Sequence, residues 1–215
     1  MALAIAFALP LALSSAIFIN EYASQDNRLI KIILFSSNTL ASTPSIVFGA
    51  FGFLFFVLFL GFKFSLISGS LTLALMILPL MLASILEGLK SVPHDYREAS
   101  AALGASKWKT IRHVVLPSAL PMVSTGVIIS TGRAIGETAA VILTAGYSAL
   151  IVSSVFMPTA SMPNLIYQNY EFANKYPILG EKIYSAAFIL ILIVLGLNLI
   201  ARMVSRFGRS GMNEL

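Results

Sequence analysis

Two charged residues stand inside an otherwise uncharged run: Arg133 and Glu137, four positions apart between Leu116 and Gly146. At i, i+4 on a helix their side chains can meet. A charge at bilayer depth costs at least about 2.5–3.5 kcal/mol on insertion scales, so such groups face a water-filled cavity or pair with each other. Two chemistries fit. Arg133 can offer a planar fork of donors to an oxyanion, with Glu137 orienting it and partly neutralising it. Alternatively the two form a structural ion pair, and Gly132 and Gly136, in G-x-x-x-G spacing, let a neighbouring helix approach closely. The same glycines would allow the helix to break and expose polar backbone to a cavity. Counted from Ser118 along one unbroken helix, Arg133 stands roughly 22 Å into the layer at about 1.5 Å per residue.

Other chemistry is sparse. The chain has no cysteine, which excludes disulfides, thiolate metal sites and a cysteine nucleophile. His94 and His113 are the two histidines, and neither has a partner at metal-ligand spacing on an intramembrane face, so no metal site is expected. No G-x-x-x-x-G-K-[ST] phosphate loop occurs, nor any Gly-Lys pair. No nucleophile and base, or metal-ligand set, facing one cavity is apparent, so no catalytic residue is assigned.

The elements that must position Arg133 and Glu137 follow from composition. Of 215 residues, 58% are hydrophobic and 11% charged, less than half the charge of an ordinary soluble domain. Five stretches approach the roughly 20 apolar residues that cross a bilayer: Leu3 to Ile19, Ser45 to Phe62, Phe64 to Leu86, Leu116 to Gly146 and Ile183 to Ala201. Arg28 to Leu40 reads as an interfacial or partly buried helix leading to Pro44. The expected fold is an all-α polytopic membrane bundle of five crossings.

Basic residues mark the cytoplasmic side. Lys90, Arg97, Lys107, Lys109 and Arg112 cluster in one loop, and Arg202, Arg206 and Arg209 in the tail. The net charge of +5 therefore reads as membrane topology and not as nucleic-acid binding. With both segments inside, the crossings alternate, Tyr147 to Lys182 lies outside, and the amino terminus falls outside. That leads to the expectation that one earlier crossing is missing from this sequence. A signal peptide is the rival reading of Leu3 to Ile19, but the basic n-region of such signals is lacking. Tyr147, Tyr167, Tyr170, Tyr176 and Tyr184 cluster near the outer boundary as interfacial anchors.

Within the loop from residue 87 to 117, Pro93 suits the first turn of a helix and Asp95 its positive end. Gly104 suits the left-handed turn that closes it, and Ser106 can cap a second helix through Trp108 and Ile111 toward Leu116. The prediction is two short helices joined at a glycine. Ala99, Ala102 and Leu103 share one side of the first, a small apolar strip on which a partner could dock closely. Without further information the segment is equally a solvated basic loop.

The run Glu98-Ala99-Ser100, three residues, Gly104, nine residues, Val114-Val115-Leu116-Pro117 resembles the EAA loop of ABC-transporter permeases, E-A-A, three residues, G, nine residues, I, any residue, L-P. Ser100 replaces the second Ala and Val114 the Ile. The resemblance implies that Glu98, Ala99, Ser100, Gly104, Leu116 and Pro117 form a coupling helix and its flank, docked in a groove of a cytoplasmic ATPase. With no phosphate loop in this chain, ATP and magnesium belong to that separate ATPase, and no cofactor is expected here. The whole chain, 1–215, is then one permease domain, and 87–117 is the coupling loop within it.

Arg133-Ala134-Ile135-Gly136-Glu137-Thr138-Ala139 is similar to the R-A-[IL]-G-E-T-A segment of phosphate permeases. Ala139 favours the A-type subunit over its G-E-T-M-A partner, and Thr138 argues against the G-E-F-G of sulfate and molybdate permeases. Pro10 to Tyr22, Met162 to Gln168 and Asn198 to Arg202 also resemble this family, whose members normally have six crossings. The resemblance implies uptake of inorganic phosphate through a pathway lined by Arg133, Glu137 and Thr138. It further implies cytoplasmic ATPase subunits, a homologous second permease, an external phosphate-binding protein and the cytoplasmic membrane of a bacterium or archaeon. An importer for sulfate or molybdate, or an ion-driven secondary transporter, is the alternative.

Overall fold

A computed structural model describes residues 1–24, 26–148, 152–173 and 177–210, with side chains of 171–173, 177–179 and 204–210 left aside. Tyr176, one of the expected anchors, lies outside the described residues. Among these residues the secondary structure is helical, in ten helices: α1 (Ala2–Ile17), α2 (Arg28–Ala41), α3 (Ser45–Gly52), α4 (Leu66–Lys90), α5 (His94–Ala102), α6 (Lys107–Thr110), α7 (Leu116–Ile135), α8 (Ala139–Thr144), α9 (Met162–Ala173) and α10 (Pro177–Ser210). π-helical turns extend α1 over Phe18–Tyr22, α3 over Phe53–Phe59, and α6 into α7 over Ile111–Val115.

The most buried helix is α4, with α1, α3, α7 and α8 packed around it. Its contact with α1 follows from a pattern of small residues. Ala4, Ala8, Ala12 and Ala16 recur every fourth position and are completely buried, so the two backbones lie close, as apolar helices in lipid require when no solvent drives them together. On the other side Gly126 of α7 sits against Ser84 of α4, and Gly88 of α4 against Met122 and Val123. Met76, Ile77, Met81, Ile85 and Leu89, each at most 1% exposed, fill the centre.

The start of α4 shows how a buried helix end is satisfied. Ser65 caps it by accepting from the Ser68 N–H, while the N–H groups of Leu66 and Ile67 donate to the carbonyls of Met157 and Val155, both 2.9 Å away. The segment before α9 is therefore folded back over the end of α4.

Among the described residues four helices are long and apolar enough to span a membrane: Ala2–Tyr22, Leu66–Lys90, Lys107–Ile135 and Gly180–Met203. A bent pair, Arg28–Ala41 with Ser45–Phe59, passes the same test only when its two arms are taken together, and it turns through 102° at the break, the shape of a broken span or a re-entrant loop. Pro44 stands at that bend as the residue before α3. The chain is a multi-pass membrane protein.

Two expectations are corrected. The run from Leu116 to Gly146 is not one helix: the spanning helix begins at Lys107, ends at Ile135, and α8 is separate. Gly136, in a bridge-like conformation (φ −79°, ψ −2°), closes it, because a glycine loses most conformational freedom inside a helix and is the least costly place to leave one. The second loop helix is likewise not short, since α6 runs without interruption through the π turn into α7.

Candidate functional site

The described site residues fall in two places, one at each end of α7. At the first, α5 stands away from the bundle. It buries no residue completely; Ala99 and Ala102 are exposed, and Leu103, where the helix ends, is 89% exposed. Gly104 follows with φ +77°, the left-handed turn expected for it, and Ser106 accepts from the Lys109 N–H at 3.4 Å, capping α6 as expected. Pro93 sits one position earlier than expected, as the N-cap residue. Glu98 meets His94 Nδ1 at 3.0 Å in solvent. Ser100 and Thr110 share a hydroxyl hydrogen bond of 2.8 Å that ties α5 to α6. Leu116 is half-buried and Pro117 exposed in the first turn of α7.

What holds α5 is a residue counted in the sequence only as a positive charge. Arg97 Nη2 lies 2.8 Å from Glu21 Oε1, and its Nε reaches Oε1 and Oε2 at 3.3 and 3.4 Å. Arg97 also donates to the carbonyls of Val92 at 2.9 Å and Leu89 at 3.1 Å. Asn20 Nδ2 donates to Glu21 Oε1 at 2.8 Å. The pair is shielded from solvent, with side-chain exposures of 19% for Arg97 and 7% for Glu21. A little further on, Lys107 Nζ lies 4.8 Å above the Tyr22 ring, a cation–π geometry. Asn20, Glu21, Val92, Arg97 and Lys107 border a cavity of about 680 Å³ that also takes in Lys90, His94 and Thr110. The sequence signal was faint: a lone carboxylate closing an apolar run, and an arginine 76 positions later with no spacing rule to join them.

At the other end of α7, Arg133 is in the last turn and exposed. Among the described residues it makes no ion pair with Glu137. The expected i, i+4 pair does not form because the helix ends between the two residues. Glu137 instead turns its Oε1 toward the N–H of Ala140, 3.4 Å away, at the start of α8. Nor do Gly132 and Gly136 make the expected close helix contact: a Cβ on Gly132 would meet nothing within 4 Å, and one on Gly136 only the Arg133 carbonyl at 3.8 Å. The break that these glycines permit is present.

The broken segment opens on a cavity of about 1030 Å³ bounded by Gly136 and Thr138, Ile46 of α3, and Tyr167, Gln168 and Tyr170 of α9. Arg133 and Glu137 do not line it. Asn164, completely buried, fixes this wall. Its Nδ2 donates to the Gly146 carbonyl at 3.0 Å and its Oδ1 accepts from Gln168 Nε2 at 2.9 Å. Gly146 has φ +80°, so a residue that tolerates the left-handed region is needed where the chain leaves α8. Sequence reasoning did not single out Asn164, because a polar residue amid MPNLIYQ carries no periodic signal.

A bundle of spanning helices with an exposed helical knuckle at one end and a broken, partly polar segment at the other defines a membrane permease component. The comparisons give its family. Residues 8–209 match the model of the binding-protein-dependent transport system inner membrane component, and the chain belongs to that family. It is 39% identical over 198 residues to the phosphate transport system permease protein PstA 1 of Mycobacterium tuberculosis, covering 92% of this chain and 64% of that protein. It is 33% identical over 200 residues to the PstA protein of Xylella fastidiosa, covering 93% and 69%. The chain thus spans a little under two thirds of the length of the mycobacterial relative. One chain of the MetNI methionine ABC transporter, in an inward-facing conformation, superposes with a TM-score of 0.70 at 17% identity, over 96% of this chain and 88% of that one. That likeness concerns the fold.

Proposed function

We propose that this chain is one permease subunit of an ATP-driven importer of inorganic phosphate in a bacterial or archaeal cytoplasmic membrane. The observation that carries the reading is the similarity to phosphate permeases over 92% of the chain, continuous through both the loop and the broken segment. Residues 1–215 act as one permease domain, and 87–117 is its cytoplasmic coupling loop. Leu103, Ala99 and Ala102 present the apolar strip to a groove of a separate ATPase, with Glu98 and Ser100 at its edge. Gly104 lets the chain turn back, and Leu116 and Pro117 carry the motion into α7. The chain contributes no catalytic residue; ATP and magnesium are bound by the ATPase.

At the far end of α7, Arg133 offers its guanidinium to the oxyanion, a bidentate match that a lysine does not reproduce. That it is exposed and free of Glu137 supports solute contact over a structural pair. Thr138 lines the path, and Glu137 holds the start of α8. Seventeen residues, or about 26 Å of helix, separate Leu116 from Arg133, so a displacement at the loop reaches the gate along one rigid element. A homologous permease completes the pore, and an external binding protein delivers the anion.

The test is uptake by the reconstituted complex. Phosphate should be transported with ATP, and Arg133→Ala should lower uptake at least about a hundredfold without loss of assembly, Arg133→Lys restoring only part. Competition by sulfate or molybdate but not phosphate would overturn the substrate, and uptake following an ion gradient without the ATPase would overturn the class.

A further inference from the structure

The helix that receives the ATPase has little apolar hold on the bundle. No residue of α5 is completely buried, and Tyr96 is its one side chain packed against the main core among the described residues. Its connections are polar and directional. The most extensive of them joins it to a helix that is not its neighbour in the chain: Arg97 grips Glu21, at the end of α1, across 76 positions. Three contacts between one guanidinium and one carboxylate fix orientation as well as distance. Arg97 simultaneously holds the carbonyls of Leu89 and Val92, so α1, the end of α4 and α5 meet at a single side chain. Lys107 over Tyr22 gives α6 a second hold on the same turn of α1.

The other routes from α5 lead into its neighbours in the chain: backward through Ser91 to Pro93 into α4, and forward through Gly104 and the Ser100–Thr110 hydrogen bond into α6 and α7. Neither joins α5 itself to α1: the first reaches it only through the packing of α4 on α1, the second only through Lys107 over Tyr22. Along its length α1 packs on α4 through the alanine stripe, apolar contacts with no hydrogen bond or ion pair to α5. The ion pair is thus the one bonded link, among the described residues, between the coupling helix and α1.

We propose that Glu21 and Arg97 are a positioning pair that fastens the coupling helix to the inner end of α1, so that a displacement of α5 by the ATPase carries α1 with it as one body. The proposal rests on the reading of α5 as the coupling helix. Glu21 touches neither solute nor nucleotide; its part is to make α1 follow.

The double substitution Glu21→Leu with Arg97→Met removes both charges together, leaving neither buried and unpaired. In the complete complex in proteoliposomes, with inorganic phosphate as solute, the expected result is retention of the ATPase and hydrolysis within about twofold of the unsubstituted rate, with phosphate moved per ATP falling at least about tenfold. An assembled double variant with unchanged phosphate per ATP would make the pair merely structural and overturn the proposal. If a different oxyanion is the one transported, the ratio is taken with that anion and decides in the same way.

A second measurement keeps the pair intact and decides should the double variant not assemble. The chain has no cysteine, so Ser24→Cys and Asp95→Cys, both at exposed positions, give a unique pair of spin labels on the two sides of the joint. Their separation should stay within about 2 Å between the nucleotide-free and ATP-bound complexes, and a change of about 5 Å, the scale of a one-turn slip, would overturn the joint. A chain that retains no ATPase at all would overturn both this proposal and the coupling reading beneath it.

Discussion

The crossing of α4 and α7 provides a prediction in which opposing effects cancel by design. Gly126 and Gly132 both lie inside α7, six residues apart, and Gly→Ala should give each the same gain in helix propensity, about 1 kcal/mol. Their surroundings differ. A Cβ on Gly126 would fall on Ser84 Cβ, with Ser84 Oγ at 2.9 Å and its Cα at 3.5 Å, whereas on Gly132 it would meet nothing within 4 Å. Carbon atoms are at ease near about 3.5–4.0 Å, so the Ser84 Cα is no obstacle; the obstructing atom is Ser84 Cβ, which is fixed to the backbone and cannot rotate away. The two helices must separate. Overpacking of this kind costs about 1–3 kcal/mol, and the difference between the two alanine variants isolates it. Unfolding of the purified chain by increasing amounts of a denaturing detergent in mixed micelles should therefore rank Gly132→Ala above Gly126→Ala by about 1–3 kcal/mol. Adding Ser84→Gly to Gly126→Ala should recover most of the loss. Equal stability of the two single variants, or no recovery in the double, would refute the packing argument.

Two further outcomes follow from single side chains. Leu103→Asp should leave the permease inserted and folded, because the side chain is 89% exposed, yet reduce co-purification of the ATPase at least about tenfold, as loss of a central apolar contact in an interface does. Asn164→Leu should destabilise the chain by about 1–3 kcal/mol, the cost of leaving the Gly146 carbonyl without its donor in a buried place. In the same micelle titration, an Asn164→Leu chain as stable as the unsubstituted one would show that water or another group takes over.

Much of the fold was legible because, in lipid, hydropathy and length are nearly sufficient: a backbone with no water to bond must be helical. The runs starting at Leu3, Phe64 and Ile183 became spanning helices within a few residues of the expected limits, and Gly104 and Ser106 took up the turn and the cap that local chemistry assigns to them. The break after Ile135 was less legible, because glycine permits a bend without requiring one. The pairing of Arg133 with Glu137 was the wrong inference from a right spacing: i, i+4 brings side chains together only while the helix continues between them.

By itself, then, the order of residues determined that the chain is helical, which stretches are long and apolar enough to cross a membrane and where a glycine turn and a serine cap fall in the motif-bearing loop, all of which depend on neighbours within a few turns. Tertiary structure alone decided that Glu21 meets Arg97, that Gly126 and not Gly132 is the point of closest approach, and that Asn164 holds the end of α8. Those contacts join residues between 18 and 76 positions apart, and no local rule of spacing can reach them: they exist because packing around α4 brings distant turns to the same place.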